Sequence, residues 1–139
     1  MSGVLVVADA PSVHAEVAAV LPAGERIRPV YEGRDVRNAL VAEAPDVAVV
    51  DMQVGSMGGI AITMDMRLEE SGGRLPHIPV LLMLDRRADV FLARRCGAEG
   101  WVVKPFDPVR LRRAIESVRG GGTFHDPTFR PDPVLVAPR

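Results

Sequence analysis

Short, unbroken apolar runs recur along this chain of 139 residues, and each ends on or beside a carboxylate. Val4–Val7 leads through Ala8 to Asp9, the run at 47–50 leads to Asp51, and the run at 79–84 leads to Asp85. A strand with one face in water alternates apolar and polar residues, whereas a strand covered on both faces is apolar throughout. The runs therefore predict buried parallel strands, joined by a weaker strand at 27–31 and a short one at 100–103. Helical spacing fills the gaps. Val13, Val17, Val20 and Leu21 mark a helix over 11–21. A second helix spans 35–44, with Asp35 as its expected cap and Pro45 as its stop. Residues 60–70 alternate like a strand, yet Ile60, Met64 and Leu68 also satisfy i, i+4, i+8, and the position between two buried strands selects a helix. Further helices are expected at 86–95, ended by Gly97, and at 108–119, with Leu111, Ala114, Ile115 and Val118 on one face.

Five strands alternating with five helices make an α/β, doubly wound, five-stranded parallel sheet. Right-handed crossovers give the flavodoxin-like strand order 2-1-3-4-5. A single domain over residues 1–119 is expected, followed by a Gly/Pro-rich tail at 120–139 that is flexible or extended, in which the segment 134–136 has the character of a short add-on strand.

Composition narrows the function by exclusion. Hydrophobic residues make up 47% and charged residues 25%, as in ordinary globular domains, and the formal charge of -1 gives no reason to expect nucleic-acid binding. No apolar stretch approaches the ~18 residues of a membrane span. The lone Cys96 permits no intramolecular disulfide and no cysteine zinc site, so a cytoplasmic location is expected. His14, His77 and His125 are scattered, which disfavours a metal cluster.

In open α/β sheets ligands bind at the carboxyl ends of the strands, which here carry Asp9, Asp51, Leu84 with Asp85, and Lys104. Two carboxylates at one sheet edge repel each other unless a cation lies between them, and Mg²⁺ suits one or two carboxylates supplemented by phosphate oxygens and water. Lys104 is the only lysine among 17 basic residues. Its compact ammonium is a mobile point charge suited to a phosphoryl oxygen.

The segments Val4-Leu5-Val6-Val7-Ala8-Asp9, Val49-Val50-Asp51-Met52 and Val103-Lys104-Pro105-Phe106, with Gly97-Ala98-Glu99-Gly100-Trp101 just ahead of the last, resemble the strand ends of response-regulator receiver domains. The likeness runs over residues 3 to 119. It implies that Asp51 accepts a phosphoryl group from a sensor histidine kinase or a phosphotransfer protein. It also implies that Asp9, Asp51 and the backbone carbonyl of Gln53 bind Mg²⁺, and that Lys104 pairs with the phosphoryl oxygen. A stand-alone member of that family, without an output domain, is a signalling protein rather than an enzyme and acts by binding a downstream protein.

The resemblance is incomplete at several positions. Ala8 replaces one of the usual acidic pair, which should weaken the metal site. Leu84 stands where the family has a Ser or Thr hydroxyl, so the pull that draws the aromatic residue inward is lost, and Trp101 is read as a large, partly buried side chain rather than a moving one, with a contact role in binding left open. Asp85 replaces a small residue and would oppose a phosphoryl dianion. Gly55 and Gly58 make the loop after Asp51 unusual. These departures support an alternative, a phosphorylation-independent pseudo-receiver that serves as an interaction module. A third class, a small nucleotide- or flavin-binding enzyme, is disfavoured because neither a G-x-G-x-x-G nor a P-loop follows the first strand.

Overall fold

The computed structural model describes residues 3–127. Its elements run β1 Val4–Val7, α1 Pro11–Val20, β2 Ile27–Val30, α2 Val36–Ala42, β3 Val47–Asp51, α3 Gly59–Ser71, β4 Val80–Leu84, α4 Val90–Arg95, β5 Gly100–Val103, α5 Pro108–Arg119 and β6 Phe124–His125. Single 3₁₀ turns at Gly33–Asp35 and Arg87–Asp89 lead into α2 and α4. All neighbouring strands are parallel, in the order β2-β1-β3-β4-β5-β6. The expected order of the first five strands holds, and a short sixth strand extends it.

That strand falls in the stretch expected to be flexible or extended. The backbone of Phe124–His125 is extended and pairs with Gly100 and Trp101 of β5. Gly100 makes room for it, because a Cβ at this position would sit 2.8 Å from the Phe124 carbonyl oxygen. The segment 134–136 lies outside the described residues.

The apolar runs are buried on both faces, as their composition requires. Leu5, Val7, Val50, Leu82, Leu84 and Trp101 pack on the side covered by α2, α3 and α4, with Leu40, Ile62, Met66 and Ala93. Val4, Val6, Ala8, Val49, Leu81 and Met83 pack on the other side against Val13 and Val17 of α1 and Leu111, Ala114, Ile115 and Val118 of α5. Each fully buried Leu or Ile contributes roughly 1.5–3 kcal/mol relative to an exposed one.

One local expectation holds and one needs correction. The helix expected over 60–70 is present at 59–71, with Ile62, Thr63 and Met66 inward, while Met64 is 52% and Leu68 66% exposed. Asp35 closes the 3₁₀ turn and its side chain caps nothing; it is Asp107 that caps a helix, accepting from the Val109 amide at 2.9 Å ahead of α5. At the far end of α5, Arg119 donates to Glu25 at 2.6 Å and to Asp46 at 2.8 Å. Those bonds hold both carboxyl groups below their usual range. They tie α5 to the entry of β3.

Candidate functional site

β1 and β3 are in register from Val4 opposite Val47 to Val7 opposite Val50, so Ala8 comes level with Asp51 and Asp9 lies one residue beyond, past the sheet edge. On the other side Asp51 is opposite Met83, and Leu84 is opposite Val103. The Lys104 amide then donates to the Leu84 carbonyl at 2.8 Å. Parallel pairing thus brings Asp9, Asp51, Asp85 and Lys104 to one edge, where the sequence placed them.

Asp51 is buried, and its Oδ1 accepts from Lys104 Nζ at 2.6 Å and from the Gln53 amide at 3.2 Å. Neither bond uses Oδ2. Burial lifts the Asp51 carboxyl above its ordinary range, and the hydrogen bond from Lys104 opposes that rise without cancelling it. For Lys104, burial acts downward, but the carboxylates of Asp51 and Asp85 outweigh it and hold the ammonium above its usual value. Asp51 is therefore costly to ionise, while Lys104 stays charged. Gly59, at the start of α3, lies against the Asp51 carbonyl, where a Cβ would collide with the backbone. This glycine lets α3 begin directly over the strand end.

Asp85 behaves differently from the expectation. Rather than standing only as a loose like charge, it meets Lys104 Nζ at 3.0 Å, so one ammonium bridges two carboxylates. Its other oxygen is buried with no partner among the described residues. No sequence periodicity signals this contact, which depends on the chain beyond β4 turning Asp85 toward β5.

Asp9 is exposed, and no hydrogen bond or ion pair engages its carboxylate among the described residues. Asp9 does not cap α1, because the cap residue is Ala10 and no side chain caps that end. Gln53 sits in the loop after β3, where the Gly55 carbonyl accepts from Gly33 at 2.9 Å and Ser56 Oγ accepts from the Arg34 amide at 3.1 Å. Among the described residues no three His, Cys, Asp or Glu side chains are grouped to hold a metal ion. The expected donors, two carboxylates and a loop carbonyl, would be a sparse oxygen set of the kind that suits Mg²⁺, which keeps several waters, rather than a metal needing a protein cage.

Leu84 is fully buried, and Trp101 is 2% exposed in the same cluster. The Trp101 ring stacks on His125 at 4.2 Å between centroids and 6° between planes, and the Arg94 guanidinium carbon lies 5.4 Å from its centroid. Neither contact was foreseen from the sequence. Cys96 is buried, and burial raises its thiol pKa, as expected of an unreactive cysteine.

Comparison with known proteins places this arrangement in a family. The response regulator receiver domain matches over residues 4–116. The chain belongs to that family, whose members are phosphoryl-accepting modules of two-component signalling. It is 32% identical over 119 residues to the transcriptional regulatory protein CseB of Streptomyces avermitilis, covering 83% of this chain and 48% of CseB. It is 35% identical over 75 residues to the chemotaxis protein CheY of Pseudomonas aeruginosa, covering 52% of this chain and 58% of that protein. The chain thus spans about half the length of these relatives. Among solved structures, the chemotaxis response regulator CheY4 of Vibrio cholerae superimposes with a TM-score of 0.73 at 26% identity, covering 85% of this chain and 98% of CheY4. No helix among the described residues is long and apolar enough to cross a membrane.

Proposed function

We propose that this chain is a stand-alone cytoplasmic receiver that takes a phosphoryl group on Asp51 from a sensor histidine kinase or a phosphotransfer protein, and acts by binding a downstream protein. The observation that carries this reading is Asp51 itself, a buried carboxylate at the sheet edge with one oxygen fixed by Lys104 and Gln53 and the other without a hydrogen bond among the described residues. In the transfer the P–N bond of a phosphohistidine breaks as an Asp51 oxygen forms the new P–O bond. The electron pair stays on the released imidazole, which takes up a proton. Lys104 supplies a positive point charge to a phosphoryl oxygen, for which it must be shared with or released by Asp85. Asp9, Asp51 and the Gln53 carbonyl would hold Mg²⁺, which when bound neutralises charge on the phosphoryl oxygens.

A second reading, the phosphorylation-independent interaction module, is favoured by one observation: Lys104 is already neutralised by two carboxylates, beside a strand end where Leu84 offers no hydroxyl. Intact mass after incubation with acetyl phosphate and Mg²⁺ separates the two. The first reading predicts partial addition of one phosphoryl group, absent in Asp51→Asn. No addition under any condition, including with a histidine phosphotransfer donor, would favour the second.

A further inference from the structure

Residues 124–126 make three independent contacts with the outer edge of the sheet. Their backbone pairs with Gly100 and Trp101, the His125 ring stacks flat on the Trp101 indole, and the buried Asp126 carboxylate accepts from the Val103 amide at 3.0 Å. Asp126 also lies 3.8 Å from Arg110 of α5. The Asp126 side chain thereby takes over the β5 donor just past the short strand.

The strand itself is short. It has two residues, His125 is exposed, and no further strand covers β6 among the described residues. Trp101 Nε1 is buried without a hydrogen-bond partner among the described residues, a cost the closed arrangement carries and an open one would relieve. Gly100 keeps the edge accessible to a second backbone, since any Cβ there would meet Phe124. Once residues 124–126 release it, the β5 edge offers backbone donors, an aromatic platform and flanking arginines, which is what an extended peptide needs in order to add a strand.

We propose that the outer edge of β5, with Trp101, Arg94, the Val103 amide and Arg110, is a strand-docking site held closed by the chain's own residues 124–126. The partner it fits is an extended segment with the same chemistry: an aromatic or imidazole ring to stack on Trp101, followed directly by a carboxylate for the Val103 amide and Arg110. Docking requires release of the internal segment, so the site is autoinhibited. It does not depend on phosphorylation of Asp51.

The test uses the full chain and a synthetic peptide of residues 121–127, which lacks tryptophan. In the variant His125→Ala with Asp126→Asn, Trp101 emission should shift to the red and acrylamide quenching should rise several-fold, with the far-ultraviolet circular dichroism unchanged. The native peptide should reverse both changes, and the same peptide with Asn for Asp should bind about tenfold more weakly, as loss of one charge-assisted hydrogen bond implies. A folded variant that keeps buried-tryptophan emission overturns the proposal, as does equal restoration by the two peptides. Should the variant not fold, hydrogen exchange in the unmodified protein decides. The Val103 amide, bonded to Asp126, should exchange through a local opening much faster than the Lys104 amide, bonded to Leu84 inside the sheet. Equal exchange of the two amides through global unfolding would show that the segment does not release.

Discussion

The ends of β3 and β4 lie side by side yet carry opposite chemistry. Asp51 is a buried carboxylate tied to an ammonium, whereas Leu84, one residue past the position opposite Asp51, is a fully buried aliphatic side chain packed in the cluster that holds Trp101. On the proposed reading, the first end supplies the phosphoryl acceptor. The second lacks the hydroxyl by which an occupied site would pull on its surroundings. If Asp51 accepts a phosphoryl group as proposed, acceptance and relay are separable within one sheet edge, since Leu84 carries no hydroxyl. A ligand shifts a conformational equilibrium only by its differential affinity for the two states, so a site without a contact to the relay carries little coupling however well it is occupied.

The sharpest break in this comparison comes from Lys104→Met, which leaves Asp51 and Asp85 as uncompensated carboxylates. We expect a loss of about 2–3 kcal/mol at neutral pH, below the figure for a fully buried pair because the Lys104 side chain is 24% exposed. A carboxyl whose folded-state pKa is raised favours folding below its unfolded value and loses that benefit as pH rises through the folded value. Without Lys104 the Asp51 carboxyl rises further, so the deficit should shrink as pH falls toward about 4. Urea denaturation at several pH values checks this. A deficit independent of pH would mean that the ion triad does not set the charge state of Asp51.

Restoring the relay end is the next largest change. Leu84→Thr with Asp85→Ala should raise the phosphorylated fraction several-fold in the intact-mass assay, because a donor is added and Lys104 is freed from its second carboxylate. No gain would mean that these residues do not limit the chemistry. A smaller effect is expected at the metal. With Ala8 level with Asp51, Mg²⁺ binding should be weak, and Asp9→Ala should weaken it further in a titration of the metal-free protein. Equal binding by Asp9→Ala and the unsubstituted chain would remove Asp9 from the site.

How much of this was legible in the sequence depended on the range of the interaction. Strand identity followed from apolar runs that parallel pairing must bury, and the strand order from the handedness of crossovers, so Asp9, Asp51 and Lys104 could be assigned to one edge without coordinates. The Asp85–Lys104 contact was not legible, since it is set by where two side chains turn after their strands end. Nor was β6. Pro127, Pro131, Pro133 and Pro138 break every regular pattern in that region. Its two paired residues are too short for any periodicity, and their order comes from a partner strand and from Asp126 rather than from local propensity. The buried face of α3 was not legible either: Met64 and Leu68 are apolar at helical spacing, yet both are exposed, and the buried side is formed by Ile62, Thr63 and Met66.

The central claim, that occupancy of the Asp51 site is poorly coupled to the β5 side of the sheet, has a direct reporter in Trp101, the only tryptophan. Emission is recorded while Mg²⁺ and beryllofluoride, a phosphoryl mimic, are added to the intact chain, with binding of the mimic followed separately by fluorine resonance. With Leu84 in place the coupling should fall well below the ~1–3 kcal/mol of ordinary allosteric linkage, and the emission maximum and intensity should stay nearly constant while the site fills. A large spectral change that disappears in Asp51→Asn would contradict the account and show that the two strand ends act as one switch.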